Sequence, residues 1–146
     1  MAGSSAIKHN SEFLQKVDFE GMDYLLRGRR VVPLSDIDGL IDAEGKGWIL
    51  YELKYNDADL PTGQRILFEH MINDLSIARP AVCFVCSHGI KDANRNIILK
   101  DAFVTSVYSS PFGWKYYGRD YSQRWTAKEL TDIFLKRYAP DMLNQT

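Results

Sequence analysis

Two charged side chains stand two residues apart in an otherwise apolar segment of this chain. The segment Trp48–Tyr55 reads Trp-Ile-Leu-Tyr-Glu-Leu-Lys-Tyr, which is typical of a strand inside a sheet. Because strand side chains alternate between faces, Glu52 and Lys54 share one face with the apolar Leu50. A charge in apolar surroundings is costly unless it is paired or binds a metal. The pair therefore indicates either an ion bridge or a reactive site.

An acidic segment precedes this strand. Residues 36–42 read Asp-Ile-Asp-Gly-Leu-Ile-Asp, and residues 44–47, Glu-Gly-Lys-Gly, predict a turn into the strand. An Asp from one strand and a Glu from its neighbour can converge on one divalent cation, because carboxylate oxygens suit Mg²⁺ or Mn²⁺. Lys54 would then lie beside the metal, where it could hold an attacking water or stabilise a phosphorane-like transition state.

The order of these residues closely resembles the PD-(D/E)XK nuclease superfamily. Asp38 comes first, Glu52-Leu53-Lys54 lies at the end of a hydrophobic strand, and Gln64 opens a helix. The resemblance covers about residues 10–90 and is greatest to small stand-alone members related to RecB-type nucleases and Holliday-junction resolvases, some of them phage-encoded. It implies an α/β fold with a restriction-endonuclease-like αβββαβ core, a mixed sheet flanked by helices.

The resemblance also implies a role for each residue of the motif. Asp38, Glu52 and the backbone carbonyl of Leu53 would hold Mg²⁺ or Mn²⁺. Lys54 would assist the attacking water, and Gln64 would orient Lys54 or that water without adding charge. The catalytic set expected from the resemblance is therefore Asp38, Glu52, Lys54 and Gln64.

Two assignments of metal ligands stay open. Asp36 is the alternative to Asp38, since both share one face of an extended segment, whereas Asp42 is expected to be solvated near the turn. In the family, an acidic residue of the first helix often reaches the metal, and Glu20 on the helix predicted over residues 10–27 is the candidate here. Its rivals on the same helix are Glu12, Asp18 and Asp23.

Basic and aromatic residues elsewhere predict contacts with nucleic acid. Arg29 and Arg30 precede the first strand, and Arg65 follows Gln64; these side chains could contact phosphates, although the first two could also balance the acids that follow. Residues 109–125 interleave aromatic and basic residues, which suits base stacking, a homodimer interface or a buried aromatic cluster. Its candidate basic contacts are Lys115, Arg119 and Arg124.

The remaining pattern predicts the elements that carry this site. A helix is expected over 63–78 with Thr62 as its cap, followed by a strand over 81–86 parallel to Trp48–Tyr55. An edge strand over 97–108 and a helix over 126–138 complete the sheet and its cover. Strands that alternate with helices favour an α/β layer structure.

Length and composition bound the protein class. The chain has 146 residues, 45% hydrophobic and 25% charged, which predicts one soluble globular domain over 1–146. It has no apolar run near the ~20 residues that cross a membrane and no signal-like start, so a cytoplasmic location is expected. The net charge of −1 is unlike that of strongly basic nucleic-acid binders, but an acidic metal site lowers the formal charge and bound cations restore attraction.

Cys83 and Cys86 are the chain's two cysteines. Their spacing resembles half of a zinc or iron–sulfur site, but no second pair exists and the flanking residues read as a buried strand. Two thiols three residues apart on a strand point to opposite faces. Buried, reduced thiols are therefore expected, and an iron–sulfur cluster is not.

The sequence thus predicts a Mg²⁺- or Mn²⁺-dependent deoxyribonuclease that acts on DNA in recombination or repair. Without a separate sequence-reading module, cleavage should depend on DNA structure or ends, as in resolvases or exonucleases. One alternative is a catalytically silent nucleic-acid-binding or inhibitory protein that retains the fold. Another is a structural α/β domain in which Glu52 and Lys54 form an ion bridge.

Overall fold

A computed structural model of the chain describes residues 20–21, 24–26, 30–32, 37–92, 94–117 and 124–143. The chain divides into two compact units, residues 1–36 and residues 37–146. The expectation of one domain over 1–146 stays a prediction. Among the described helices, none is long and apolar enough to cross a membrane.

In the first unit, a short hairpin replaces part of a predicted helix. Tyr24–Leu26 (β1) pairs antiparallel with Arg30–Val32 (β2). The prediction of a helix over 10–27 is therefore wrong for residues 24–26, which form β1. Residues 10–19 lie outside the described residues. Glu20 and Gly21 form a turn, and the φ of +83° at Gly21 is incompatible with a right-handed helix, which explains the difference.

The described residues of the second unit form a five-stranded mixed sheet and two helices, so the predicted α/β class is confirmed. Its elements in chain order are β3 (Gly39–Asp42), β4 (Trp48–Tyr55), α1 (Thr62–Ala78), β5 (Ala81–His88), β6 (Phe103–Ser109), β7 (Gly113–Tyr116) and α2 (Ala127–Tyr138). The strands are neighbours in chain order. The β4–β5 pair is parallel, as predicted, and the other pairs are antiparallel.

The β3–β4 hairpin sets the position of the acidic segment. Glu44 and Gly45 both have positive φ, 54° and 73°, as tight hairpin turns require. Asp42 is exposed, as predicted, and its Oδ1 accepts a hydrogen bond of 2.9 Å from the Gly45 amide. Arg79 Nη1 lies 3.7 Å from the same oxygen. Asp42 therefore stabilises the turn, at the far end of the hairpin from Glu52.

The two faces of the sheet carry separate apolar clusters. On one face, which we call the α1 face, Leu50 and Cys83 pack against Phe68 and Ile72 of α1. On the other, the α2 face, the cluster includes Ile49, Tyr51, Phe84, Cys86, Val104 and, from α2, Leu135. The alternation predicted for β4 is confirmed, because Ile49, Tyr51 and Leu53 belong to the α2 face and Leu50 to the α1 face.

The ends of both helices have identifiable causes. Pro61 is the N-cap residue of α1, and no side chain forms a capping hydrogen bond there. The prediction that Thr62 caps this helix is therefore wrong, because Thr62 is its first residue. Thr126 caps α2 in a capping box with Glu129, in which each side chain accepts a hydrogen bond from the other residue's backbone N–H. The helix predicted over 126–138 is confirmed.

The C-terminal strands differ from the sequence-based expectation. Leu99–Asp101 forms a 3₁₀ turn, so β6 begins at Phe103 rather than at residue 97. β6 is also not an edge strand, because β7 pairs along its outer side. Residues 109–113 are turn formers that read as the start of a loop, so the sequence pattern did not predict this hairpin. Gly113, the first residue of β7, adopts a φ of +80°.

Both thiols are buried, free and on opposite faces of β5, as predicted. Burial raises the pKa of Cys86 from 9.0 to about 12, with a further contribution from the charge of Asp38. Burial also raises the pKa of Cys83 far above its usual range, and the charges of Cys86 and Glu52 add to the effect. The phenol of Tyr51 behaves alike: burial raises its pKa from 10.0 to about 12, although its hydrogen bond to Thr131 opposes the shift.

These buried acids predict alkaline destabilisation. A raised folded-state pKa favours the protonated form, so the contribution of these groups to stability is constant below about pH 9 and is lost as the pH rises from 9 towards 12. Urea midpoints measured at pH 8.0, 9.5 and 10.5 should therefore decrease in that order, and the Cys83→Ala/Cys86→Ala variant should show a shallower decrease.

Aromatic disulfide reagents should label neither thiol of the native protein at pH 8 and both after unfolding. Rapid labelling of the native protein would contradict this burial.

Candidate active site

Glu52, Lys54 and Gln64 meet on the α1 face at the C-terminal end of β4. Lys54 Nζ lies 3.6 Å from Glu52 Oε1 and donates a hydrogen bond of 2.8 Å to Gln64 Oε1. Gln64 is in the first turn of α1, so the crossover helix brings it above the end of the strand. Glu52 is only 5% exposed, whereas 20% of the Lys54 side chain reaches solvent. The ammonium group thus connects a buried carboxylate with a side-chain amide.

Asp38 is fixed beside this group by the backbone of β4. Its Oδ2 accepts a hydrogen bond of 2.7 Å from the Leu53 amide. Gly39 pairs with Tyr51, so extending the antiparallel register by one residue sets Asp38 opposite Glu52. The N–H and C=O of a strand residue point to the same side, which directs the Leu53 carbonyl towards the side of Asp38. The sequence-predicted residues Asp38, Glu52, Leu53, Lys54 and Gln64 are therefore brought together.

The oxygen donors of this site fit a hard divalent cation. They are the carboxylates of Asp38 and Glu52 and the carbonyl of Leu53. In the part of the chain that the structure describes, no group of three or more His, Cys, Asp or Glu side chains is placed to hold a metal. Mg²⁺ retains several waters and often uses only one or two carboxylates, so this donor set suits Mg²⁺ or Mn²⁺ better than zinc.

Other predicted residues fall in different places. Asp36, Arg29, Arg119 and the rivals Glu12, Asp18 and Asp23 lie outside the described residues. Arg30 is described only as backbone of β2. Glu20 is an exposed turn residue of the first unit. Lys115 is exposed on β7, and its ammonium lies 5.3 Å from the ring centroid of Tyr117.

Arg65 lies against aromatic side chains of β7. Its guanidinium carbon is 4.9 Å from the ring centroid of Trp114 and 5.6 Å from that of Tyr116. It donates a hydrogen bond to the Tyr116 hydroxyl, and its Nε lies 3.5 Å from Glu69 Oε2. The same Glu69 oxygen accepts a hydrogen bond of 2.6 Å from Trp114 Nε1. These contacts link the first turns of α1 to the edge of the sheet.

Arg124 supports the loop that follows β4. Its guanidinium makes two hydrogen bonds to the Asp57 carboxylate, at 3.0 and 2.8 Å, and Arg124 is only 7% exposed. The Asp57 amide also donates to Ser87 Oγ at 2.8 Å, and the amide of Asn56 donates to the His88 carbonyl at 2.8 Å. Arg124, predicted as a nucleic-acid contact, thus has a structural role in holding this loop.

A cavity of about 450 Å³ opens on the α1 face between this loop and β7. Its walls include residues 57–60, Arg65, Val85, Ser106, Trp114 and Tyr116. Trp114 and Tyr116 lie within residues 109–125, where the sequence pattern suits base stacking, a homodimer interface or a buried aromatic cluster, but that pattern does not single out these two rings, and Asp59 is not among the predicted site residues. The i, i+2 spacing of Trp114 and Tyr116 was the available signal, because residues two apart on a strand share a face.

Comparison with known proteins gives no relative: neither family models, nor curated proteins, nor solved structures match this chain. The resemblance to PD-(D/E)XK nucleases therefore rests on the residues of this chain alone. Those residues supply two carboxylates, an oriented ammonium and a side-chain amide at one strand end.

Proposed function

We propose that this protein is a metal-dependent nuclease that hydrolyses phosphodiester bonds of DNA at a PD-(D/E)XK-like site. The observation that carries the proposal is the placement of Lys54 Nζ between Glu52 Oε1, at 3.6 Å, and Gln64 Oε1, at 2.8 Å. Neutralising Glu52 would need only the ammonium group. The site adds an amide that orients the ammonium and a second carboxylate, Asp38, beside the same strand.

The order of elements supports a restriction-endonuclease-like core. The hairpin β3–β4, the helix α1 and the parallel strand β5 follow one another as the last four elements of an αβββαβ core would. In this arrangement the acidic strand end, the Lys and the helix that carries the Gln come from consecutive elements.

The site would hold Mg²⁺ or Mn²⁺ through Asp38, Glu52 and the Leu53 carbonyl. When bound, such an ion neutralises phosphate charge and makes water a better nucleophile. Because Glu52 is nearly inaccessible to water, charges here interact more strongly than they would in bulk solvent.

Lys54 and Gln64 would perform the remaining steps. An ammonium group has three N–H donors, and Gln64 accepts one of them, which leaves Lys54 with donors to direct at a water or a phosphate oxygen. The fixed donor would stabilise negative charge as it develops on the phosphate during attack, without reorganisation at that moment. Gln64 contributes no charge, so it orients the ammonium group without lowering the attraction for phosphate.

Cleavage assays test this proposal directly. Labelled single-stranded, duplex, flap and four-way-junction DNA should be incubated with Mg²⁺, with Mn²⁺ and with EDTA. We expect cleavage of at least one substrate with metal, none with EDTA, and its loss in Glu52→Gln. Asp42→Asn is the matched control, since it makes the same acid-to-amide change at the other end of the hairpin and should retain activity.

The same assay discriminates between the proposed enzyme and its rivals. A protein that binds these DNAs but cuts none with either metal would be a silent nucleic-acid-binding protein. A protein that neither binds nor cuts them would leave Glu52 and Lys54 as a structural ion bridge. Equal loss of activity in Glu52→Gln and Asp42→Asn would mean that the carboxylates act through stability alone.

A further inference from the structure

The cavity on the α1 face lies next to the proposed active site, because its lining residue Val85 pairs with Glu52. Glu52 pairs with Val85, Val85 with Ser106, and Ser106 with Tyr116, so these four residues form one row across the sheet. Neighbouring strands are about 4.8 Å apart, and the cavity therefore begins one strand away from Glu52. A nucleic-acid strand that places one phosphate at Glu52 could therefore place the neighbouring nucleotide in this cavity.

Aromatic rings form the outer wall. The rings of Trp114 and Tyr116 lie 6.1 Å apart, centroid to centroid, with an interplanar angle of 22°. Tyr116 is 59% exposed, so part of its ring can be reached by a ligand. Arg65 fixes the rings from the helix side through its contacts with both. A rigid, accessible aromatic surface suits a planar ligand.

The other walls supply polar groups and limit the size of the ligand. Arg65 brings positive charge, Asp59 a carboxylate and Ser106 a hydroxyl. The Arg124–Asp57 ion pair holds the loop wall in place. The volume of about 450 Å³ falls within the roughly 300–1,000 Å³ of small-ligand sites. This space suits one nucleotide and excludes a base-paired duplex.

We propose that this cavity receives one unpaired nucleotide next to the phosphate that is cut, with its base stacked on Tyr116. The proposal rests on the nuclease function and specifies its substrate class as DNA with a single-stranded segment, such as an end, flap or gap. An intact duplex would first have to unstack and unpair a base, which costs free energy that a single strand does not spend.

Binding measurements without turnover test this proposal. Fluorescence anisotropy in EDTA and in Ca²⁺ should compare a single-stranded oligonucleotide, its duplex, and single strands with one abasic site placed at successive positions. Stacking of one base on an aromatic ring contributes roughly five- to a hundredfold in affinity. We therefore expect Tyr116→Leu to weaken single-strand binding by about that factor and duplex binding by less than about twofold.

Abasic strands and matched variants make the test specific. An abasic site at one position of the strand should weaken binding as much as Tyr116→Leu does. Tyr116→Leu should then bind that abasic strand about as tightly as the wild type binds it. Tyr116→Phe should bind like the wild type, since it keeps the ring. Phe112→Leu is the control, because Phe112 belongs to the same hairpin, is 85% exposed and does not line the cavity.

Two results would overturn the proposal, and a third would separate it from the nuclease function. If Tyr116→Leu binds single strands as tightly as the wild type and has the same melting temperature, the cavity does not take part in substrate binding, even if the protein cleaves DNA. A change in oligomeric state by light scattering, without a change in affinity, would assign the surface to a dimer. Tyr116-dependent binding without cleavage in Mg²⁺ or Mn²⁺ would support the cavity and contradict the nuclease, so the two proposals can fail separately.

Discussion

Replacing Lys54 with methionine is expected to reduce the single-turnover cleavage rate by about a hundred- to a thousandfold, the usual effect of removing one positioned donor to a transition state. Methionine retains much of the side-chain length but donates no hydrogen bond to Gln64 or to a phosphate oxygen. Because the donor acts mainly in the transition state, the affinity for DNA measured without turnover should change little. Rates with saturating enzyme, at a fixed metal concentration, provide the measurement.

Two further variants separate catalysis from folding. Lys128→Met removes a lysine of the exposed pair that Lys128 forms with Asp132 at 2.9 Å on α2, and its cleavage rate should match the wild type. Lys54→Arg keeps a positive charge next to the buried Glu52, but a planar guanidinium cannot reproduce the geometry of an ammonium group. We expect it to fold and to remain nearly inactive. Activity of Lys54→Met within threefold of the wild type would assign Lys54 to a structural ion bridge.

The variant Asp57→Asn is expected to lower the free energy of unfolding by about 3 kcal/mol. Breaking a buried ion pair costs roughly 3–5 kcal/mol because an uncompensated charge stays inside the protein. The low end applies here, since the Arg124 side chain is 2% exposed but that of Asp57 is 15% exposed. Asn tolerates the φ of 61° at this position, so the change removes charge without backbone strain. Urea unfolding provides the measurement.

A double variant and a surface pair complete this test. Asp57→Asn combined with Arg124→Met removes both charges, so it should be more stable than Asp57→Asn alone. Asp132→Asn breaks the exposed Lys128–Asp132 pair and should cost less than about 1 kcal/mol. If Asp57→Asn costs no more than Asp132→Asn, the Arg124–Asp57 pair does not hold the loop.

The central part of the site could be predicted because its determinants are local in sequence. The strand β4 combines apolar residues with two charges, the turn at Glu44 and Gly45 determines the hairpin register, and the period of α1 identifies a helix. Once a hairpin and a crossover helix are expected, Asp38 and Gln64 must lie near the end of β4. The contacts of Asp38 with Leu53 and of Gln64 with Lys54 agree with that expectation.

The features that escaped prediction depend on short or distant elements. The apolar residues of β1 suited a helix as well as a strand, whereas the structure has a turn at Gly21 and pairs β1 with β2. The residues around Pro111 resemble a loop, which hid the edge strand β7. The Arg124–Asp57 pair joins residues 67 positions apart, and no local pattern announces such a contact.

The proposed catalytic residues and the aromatic wall of the cavity come from separate stretches of chain. The proposed catalytic residues all lie within residues 38–64, immediately before β3, in β4 and in α1, whereas the aromatic wall of the cavity comes from β7. The β6–β7 hairpin is joined to the catalytic stretch through β5, and its own residues contribute none of the proposed metal ligands. We therefore expect that exchanging this hairpin would change which DNA structures the proposed nuclease binds, while the proposed catalytic residues stay in place.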